Sequence, residues 1–154
     1  MDFAQVRAIV EKECDYLADK SCIKIYIGFS PGNSPGERLF DLLKSQIEKK
    51  GIAARVIKTG SFGCCDFEPI VVVETPGRSV VLCLNADPEM ATEIEADGFA
   101  TGMAKGNGTW FLVSGENKEN IPDISNMSLF SMQNRILLRN CGWIDPGNIG
   151  HYIL

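Results

Sequence analysis

The feature that most constrains the fold is a strand, a helix and a second strand in close succession. The segment SCIKIYIG is dense in β-branched and aromatic residues and reads as a strand from Cys22 to Gly28. FSPGNSPG then interrupts it, because glycine and proline at that density mark a loop. Ser34 is placed to cap the next element, with Pro35 in its first turn. Leu39, Leu42, Leu43 and Ile47 share one face of a helix that runs to about Lys50, where Gly51 stops it. IAARVIKTG supplies the second strand. A helix between two strands is a crossover, and crossovers join parallel neighbours with a right-handed connection.

The remaining elements attach to this unit. PIVVVE and SVVLCLN are two more strands, and the short turn TPGR between them makes an antiparallel hairpin. Before the unit, Phe3, Val6, Ile9, Val10, Cys14 and Leu17 recur at helical spacing and predict a helix over 3–18. After the hairpin, a third helix is expected from about Pro88, capped by Asp87, with Met90, Ile94 and Phe99 turned inward. The order α-β-α-β followed by β-β-α is the thioredoxin-like α/β arrangement, a four-stranded mixed sheet with flanking helices. Here it occupies 1–98. From Gly98 the composition changes. Residues 99–128 are glycine-rich and then polar, and read as a linker. Residues 129–154 form an apolar C-terminal extension with a short strand expected at RILLRN. This extension stops on GHYIL just as an element begins, which reads as a truncated larger protein.

Charge and composition exclude several classes. The formal net charge is −5 and no Lys/Arg cluster stands out, so the phosphate neutralisation that drives nucleic-acid binding has no basis. The longest apolar run, 69–73, is strand-sized, and no membrane insertion is expected. The acidic, amphipathic start MDFAQVRAIVEKECDY has neither the basic region nor the apolar region of a secretory signal, which places the chain in the cytoplasm. Cysteines stand at 14, 22, 64, 65, 83 and 141, with no CxxC pair. In a reducing compartment these are thiols or metal ligands before they are disulfides. His151 is the lone histidine, so neither a His-based triad nor a multi-histidine metal site can be assembled within the chain.

Two stretches resemble a known family. GFSPGNSPG, LFDLLKSQIEKKGI and TGSFGCCDFEP are similar to thioredoxin-like ferredoxin domains that carry a 2Fe–2S cluster in the NADH-dehydrogenase module of complex I and in NAD-linked hydrogenases. RILLRNCGWIDPGNIGHYI resembles the segment that joins such a domain to the flavin- and NADH-binding domain of the flavoprotein subunit. The likeness covers about residues 20–95 and 129–153. It implies cluster-ligand positions in the loop after each of the first two strands. With Gly36 matched to the glycine that opens the helix, these positions fall on Ile27, Gly32, Ser61 and Cys65, and only Cys65 among them is a cysteine. A cluster of this kind needs four good ligands, normally thiolates. Cys22 cannot substitute, because a strand of that length separates it from the site by about 20 Å.

Several residues carry both a functional reading and a plainer one. Cys64 and Cys65 form either a redox-active vicinal pair or two unrelated thiols, and adjacent residues on an extended loop point apart. The loop GFSPGNSPG is either a phosphate cradle or the remnant of a cluster loop, and it matches no nucleotide-binding motif. Pro69 is expected in the cis form by resemblance, with a trans strand-start proline as the alternative. Cys83 lies in an apolar strand and reads as a small buried hydrophobe. Arg135 and Arg139 read as a solvated strand face or as contacts to a flavin domain, and His151 as a surface residue. Taken together, the expectation is a ferredoxin-type domain, N-terminal or stand-alone, from an NADH dehydrogenase or hydrogenase flavoprotein. No cofactor is expected, the 2Fe–2S cluster being the weaker option with Cys65 and Cys64 as its only candidate thiolates. By itself the domain would not be an enzyme, and its role would be assembly or docking against the flavin/NADH-binding domain or subunit, with homo-oligomerisation if isolated. The alternatives are a small thiol-redox protein using Cys64 or Cys65, and an electron carrier with unusual ligands.

Overall fold

The computed structural model describes residues 2–91, 108–116, 121–134, 136 and 139–153. Helix α1 spans Phe3–Ala18, and Asp2 and Gln5 close a reciprocal cap at its start. Strand β1 spans Ile23–Gly28, helix α2 Ser34–Lys50 and strand β2 Ala54–Thr59. A 3₁₀ turn at Cys65–Phe67 precedes β3, Ile70–Glu74, which a tight turn joins to β4, Val80–Leu84. Beyond a second 3₁₀ turn at Pro88–Ala91 come β5, Thr109–Ser114, and the short helices α3, Ser128–Ser131, and α4, Ile149–Ile153.

The sheet runs β2-β1-β3-β4-β5. β1 and β2 are parallel, and β3 lies antiparallel to both β1 and β4. This is the α/β, thioredoxin-like order expected from the crossover and the hairpin, and Pro69 follows a cis peptide bond at the entrance to β3. The sheet has a fifth strand beyond the expected four. β5 pairs antiparallel with β4, although its residues fall inside the 99–128 stretch read as linker.

Alternation along the strands builds two cores. Ile25, Ile27, Val71, Val73, Val81 and Cys83 face α2, where they meet Leu39, Leu43 and Ile47. Tyr26, Ile57, Ile70, Val72, Leu82 and Leu84 face the other way, toward Leu17 of α1 and the Ile124–Met127 segment. The cap of α2 lies one residue earlier than expected: Asn33, not Ser34, accepts the Gly36 N–H at 2.9 Å. Gly51 ends the helix at φ 62°, a left-handed conformation that costs glycine little.

Other expectations need correction. α1 has the expected bounds; Leu17 packs against the second core, while Phe3 is 84% exposed and Ile9 38%. The helix expected from Pro88 begins as a 3₁₀ turn with Met90 buried and Asp87 accepting the Glu89 N–H, while Ile94 and Phe99 lie outside the described residues. In the expected strand RILLRN, residues 135, 137 and 138 lie outside the described residues, and Ile136, Arg139 and Asn140 adopt bend and turn conformations instead of extended ones. Among the described residues, no helix is long and apolar enough to cross a membrane.

Candidate functional site

The loop after β1 and the loop after β2 leave the same end of the sheet, because their parent strands are parallel and adjacent. Ile27, Gly32, Ser61 and Cys65 are distributed over this end, yet they do not converge as ligands. Ile27 is 0% exposed, and its side chain belongs to the core beneath α2. Gly32 sits in an exposed turn at φ 82° and brings no side chain. Ser61 donates its hydroxyl hydrogen to Glu68 Oε1 and accepts the Gly63 N–H at 2.9 Å. Cys65 is exposed, with Sγ 3.6 Å from Ser30 Oγ.

Glu68 is the residue that organises this end of the molecule. Its Oε2 accepts the Ser30 N–H at 2.7 Å while Oε1 takes the Ser61 hydroxyl. One carboxylate therefore ties the β1–α2 loop to the β2–β3 loop. Hydrogen bonds to an ionised acceptor are stronger than neutral ones. Sequence reasoning missed this role. Glu68 was legible only as part of the FEP run, and its partner Ser30 lies far away in the chain.

The adjacent cysteines differ in environment at the start of the 3₁₀ turn, where the backbone is not extended as the sequence reading assumed. Cys64 is buried and Cys65 exposed. Lys58 is the nearby cation on β2. Its Nζ lies 4.9 Å from the Phe29 ring centroid and 4.0 Å from Glu37 Oε1. Cys83, 0% exposed in β4, has its thiol pushed up to about 12 by burial. Among the described residues no group of His, Cys, Asp or Glu is arranged to hold a metal ion. The residues at the resembled cluster positions do not fit an iron–sulfur cluster. One position is buried hydrocarbon, one is bare backbone, and the Ser61 hydroxyl is committed to Glu68.

The C-terminal segment is seated on the back of the same β2–β3 loop. Gly142 approaches the Phe62 ring too closely for any side chain, and a Cβ on Gly60 would lie 3.3 Å from Pro146. The Trp143 ring meets Tyr26 edge-on at 5.6 Å. His151, expected at the surface, is buried instead. Its Nδ1 accepts the Asp145 N–H at 3.0 Å, which leaves the ring hydrogen on Nε2 facing Glu13 Oε2 at 3.0 Å. This contact fastens α4 to α1. Of the two arginines, Arg139 lies in an exposed turn and Arg135 outside the described residues. In comparisons with known proteins, no family model matches the chain and no curated protein matches it.

Proposed function

We propose that this chain is a thioredoxin-like, ferredoxin-type domain of an NADH dehydrogenase or hydrogenase flavoprotein that works without its own cluster. Its role is assembly or docking in the cytoplasm, against the flavin- and NADH-binding domain or subunit. The observation that carries this reading is the Glu68 carboxylate, which spans the two loops where ligands would have to converge. A domain that keeps the fold while its ligand positions carry Ile27, Gly32 and Ser61 has lost the means of passing electrons but not its surfaces. The seating of 142–151 against Phe62, Gly60 and α1 supports the docking role, because the segment that resembles the join to a flavin domain is held by the β2–β3 loop.

The thiol-redox alternative has less support. Thioredoxin-type exchange needs an attacking thiolate and a resolving sulfur within reach, whereas Cys64 turns inward and Cys65 faces a hydroxyl. The reading is tested by anaerobic reconstitution with ferrous iron and sulfide, followed by gel filtration. The expected product is colourless and iron-free. Visible charge-transfer absorbance with stoichiometric iron would overturn the reading.

A further inference from the structure

We propose that Glu68 is a built-in lock that does mechanically, by hydrogen bonds, what a cluster bridging positions 27 and 32 with 61 and 65 would do by metal–ligand bonds. It holds the β1–α2 loop against the β2–β3 loop. The comparison with a cluster rests on the ferredoxin-type reading above, but the lock itself rests only on the hydrogen bonds.

The argument begins with the loops. The β1–α2 loop contains the exposed glycine turn at Gly32, and the β2–β3 loop contains Gly63, also at positive φ. Loops of this composition open easily unless their backbone groups are tied down. The tie here is specific. The Ser30 N–H and the Ser61 hydroxyl donate to different oxygens of one carboxylate, so neither bond competes with the other. Ser61 in turn accepts from the Gly63 N–H and extends the tie into its own loop. Glu68 is held in place by the chain around it: its N–H donates to Cys65 O at 3.3 Å, and β3 begins two residues later at Ile70. Ser61, one of the four resembled ligand positions, has its hydroxyl committed to this same carboxylate.

The test is amide hydrogen exchange, by mass spectrometry and NMR, on the full chain and on Glu68→Ala, Glu68→Gln and Ser61→Ala variants. A hydrogen bond to a charged acceptor is strong enough that its loss should speed exchange about 10–100-fold. Glu68→Ala should do so at Ser30 and Gly63, with β3 and β4 unchanged. Glu68→Gln keeps an acceptor oxygen for the Ser30 N–H and should restore much of the protection there. Ser61→Ala should loosen Gly63 and leave Ser30 protected. Wild-type exchange at Ser30 in Glu68→Ala would overturn the lock. If Glu68→Ala does not fold, Glu68→Met, which keeps the length of the side chain and removes both acceptor oxygens, takes its place, and wild-type exchange at Ser30 there would do the same. The two ideas fail separately. A colourless wild-type protein with unchanged exchange in the variants removes the lock alone. A wild-type protein that takes up iron and sulfide removes the cluster-free reading, whatever the exchange data show.

Discussion

Thr59 and Cys83 show how single buried groups set the behaviour of this chain. The Thr59 hydroxyl is buried at the end of β2 and, among the described residues, finds no hydrogen-bond partner. An orphan of this kind costs roughly 1–3 kcal/mol. Thr59→Val keeps the shape and removes the polar atom, so thermal denaturation should show an unchanged or raised midpoint, and a fall of several degrees would contradict the assignment. Cys83 acts through pH. Its thiol is pushed from an ordinary 9.0 up to about 12 by burial, so the unfolded chain loses this proton first as the solution becomes alkaline. The stabilising contribution is complete below about pH 9 and is lost between about 9 and 12, with a slope of up to about 1.4 kcal/mol per pH unit. Urea denaturation across that range should fall less steeply for Cys83→Ala than for the parent. In the native state iodoacetamide should label the exposed Cys65 and spare Cys83. At this scale the sequence disclosed Cys83, because an apolar strand predicts burial from its own residues. It did not disclose Glu68, whose role depends on Ser30, a residue brought near by the antiparallel pairing of β1 and β3, whose register sets Gly28 opposite Ile70.

Elements were legible where their periodicity was long and their boundaries punctuated. α2 has a glycine stop and an apolar face, β3 and β4 have a tight turn between apolar runs, and each forms where the pattern placed it. β5 was hidden because its short run, TWFLVS, lies between a glycine-rich and a polar stretch whose composition dominated the reading. Its alternation is visible in retrospect: Trp110 packs on the α2 side and Phe111 on the other. The seat of the C-terminal segment was hidden for a different reason, since the Glu13–His151 contact joins the two ends of the chain. His151→Ala should remove that fastening and leave the Asp145 N–H without its acceptor. An expected cost of roughly 1–3 kcal/mol follows, with a red shift of tryptophan emission as Trp143 leaves Tyr26. Gly142→Ala should act in the same direction for another reason. Its φ of 87° strains any side chain, and a Cβ there would strike the Phe62 ring. If both variants melt like the parent and keep its emission spectrum, the segment is not held as described.

At the scale of the whole molecule, the C-terminal extension is only partly accommodated by its own domain. Its apolar character made a freely floating tail implausible from sequence alone, and it does pack back through Gly142, Trp143, Pro146 and His151. Yet α4 is a single short helix with its Gly150–His151 side turned to α1, while Ile149 is 54% exposed and Tyr152 78%. Phe3, at the start of α1, is exposed as well, and α1 is the helix against which α4 packs. Fully covering a large aliphatic or aromatic side chain contributes roughly 1.5–3 kcal/mol, so these residues supply a real drive for association once another surface is offered. Under the proposed function that surface is the flavin- and NADH-binding domain or subunit. In its absence a second copy of the chain is the available substitute. The isolated protein should therefore show concentration-dependent self-association in sedimentation velocity. Replacing Ile149 and Tyr152 together by Ser should weaken it without lowering the melting temperature, because neither side chain contributes to the core. The same double variant should bind a co-expressed flavin-binding subunit less tightly. A parent that stays monomeric to high micromolar concentration and binds such a subunit no better than the double variant would remove α4 from any docking role.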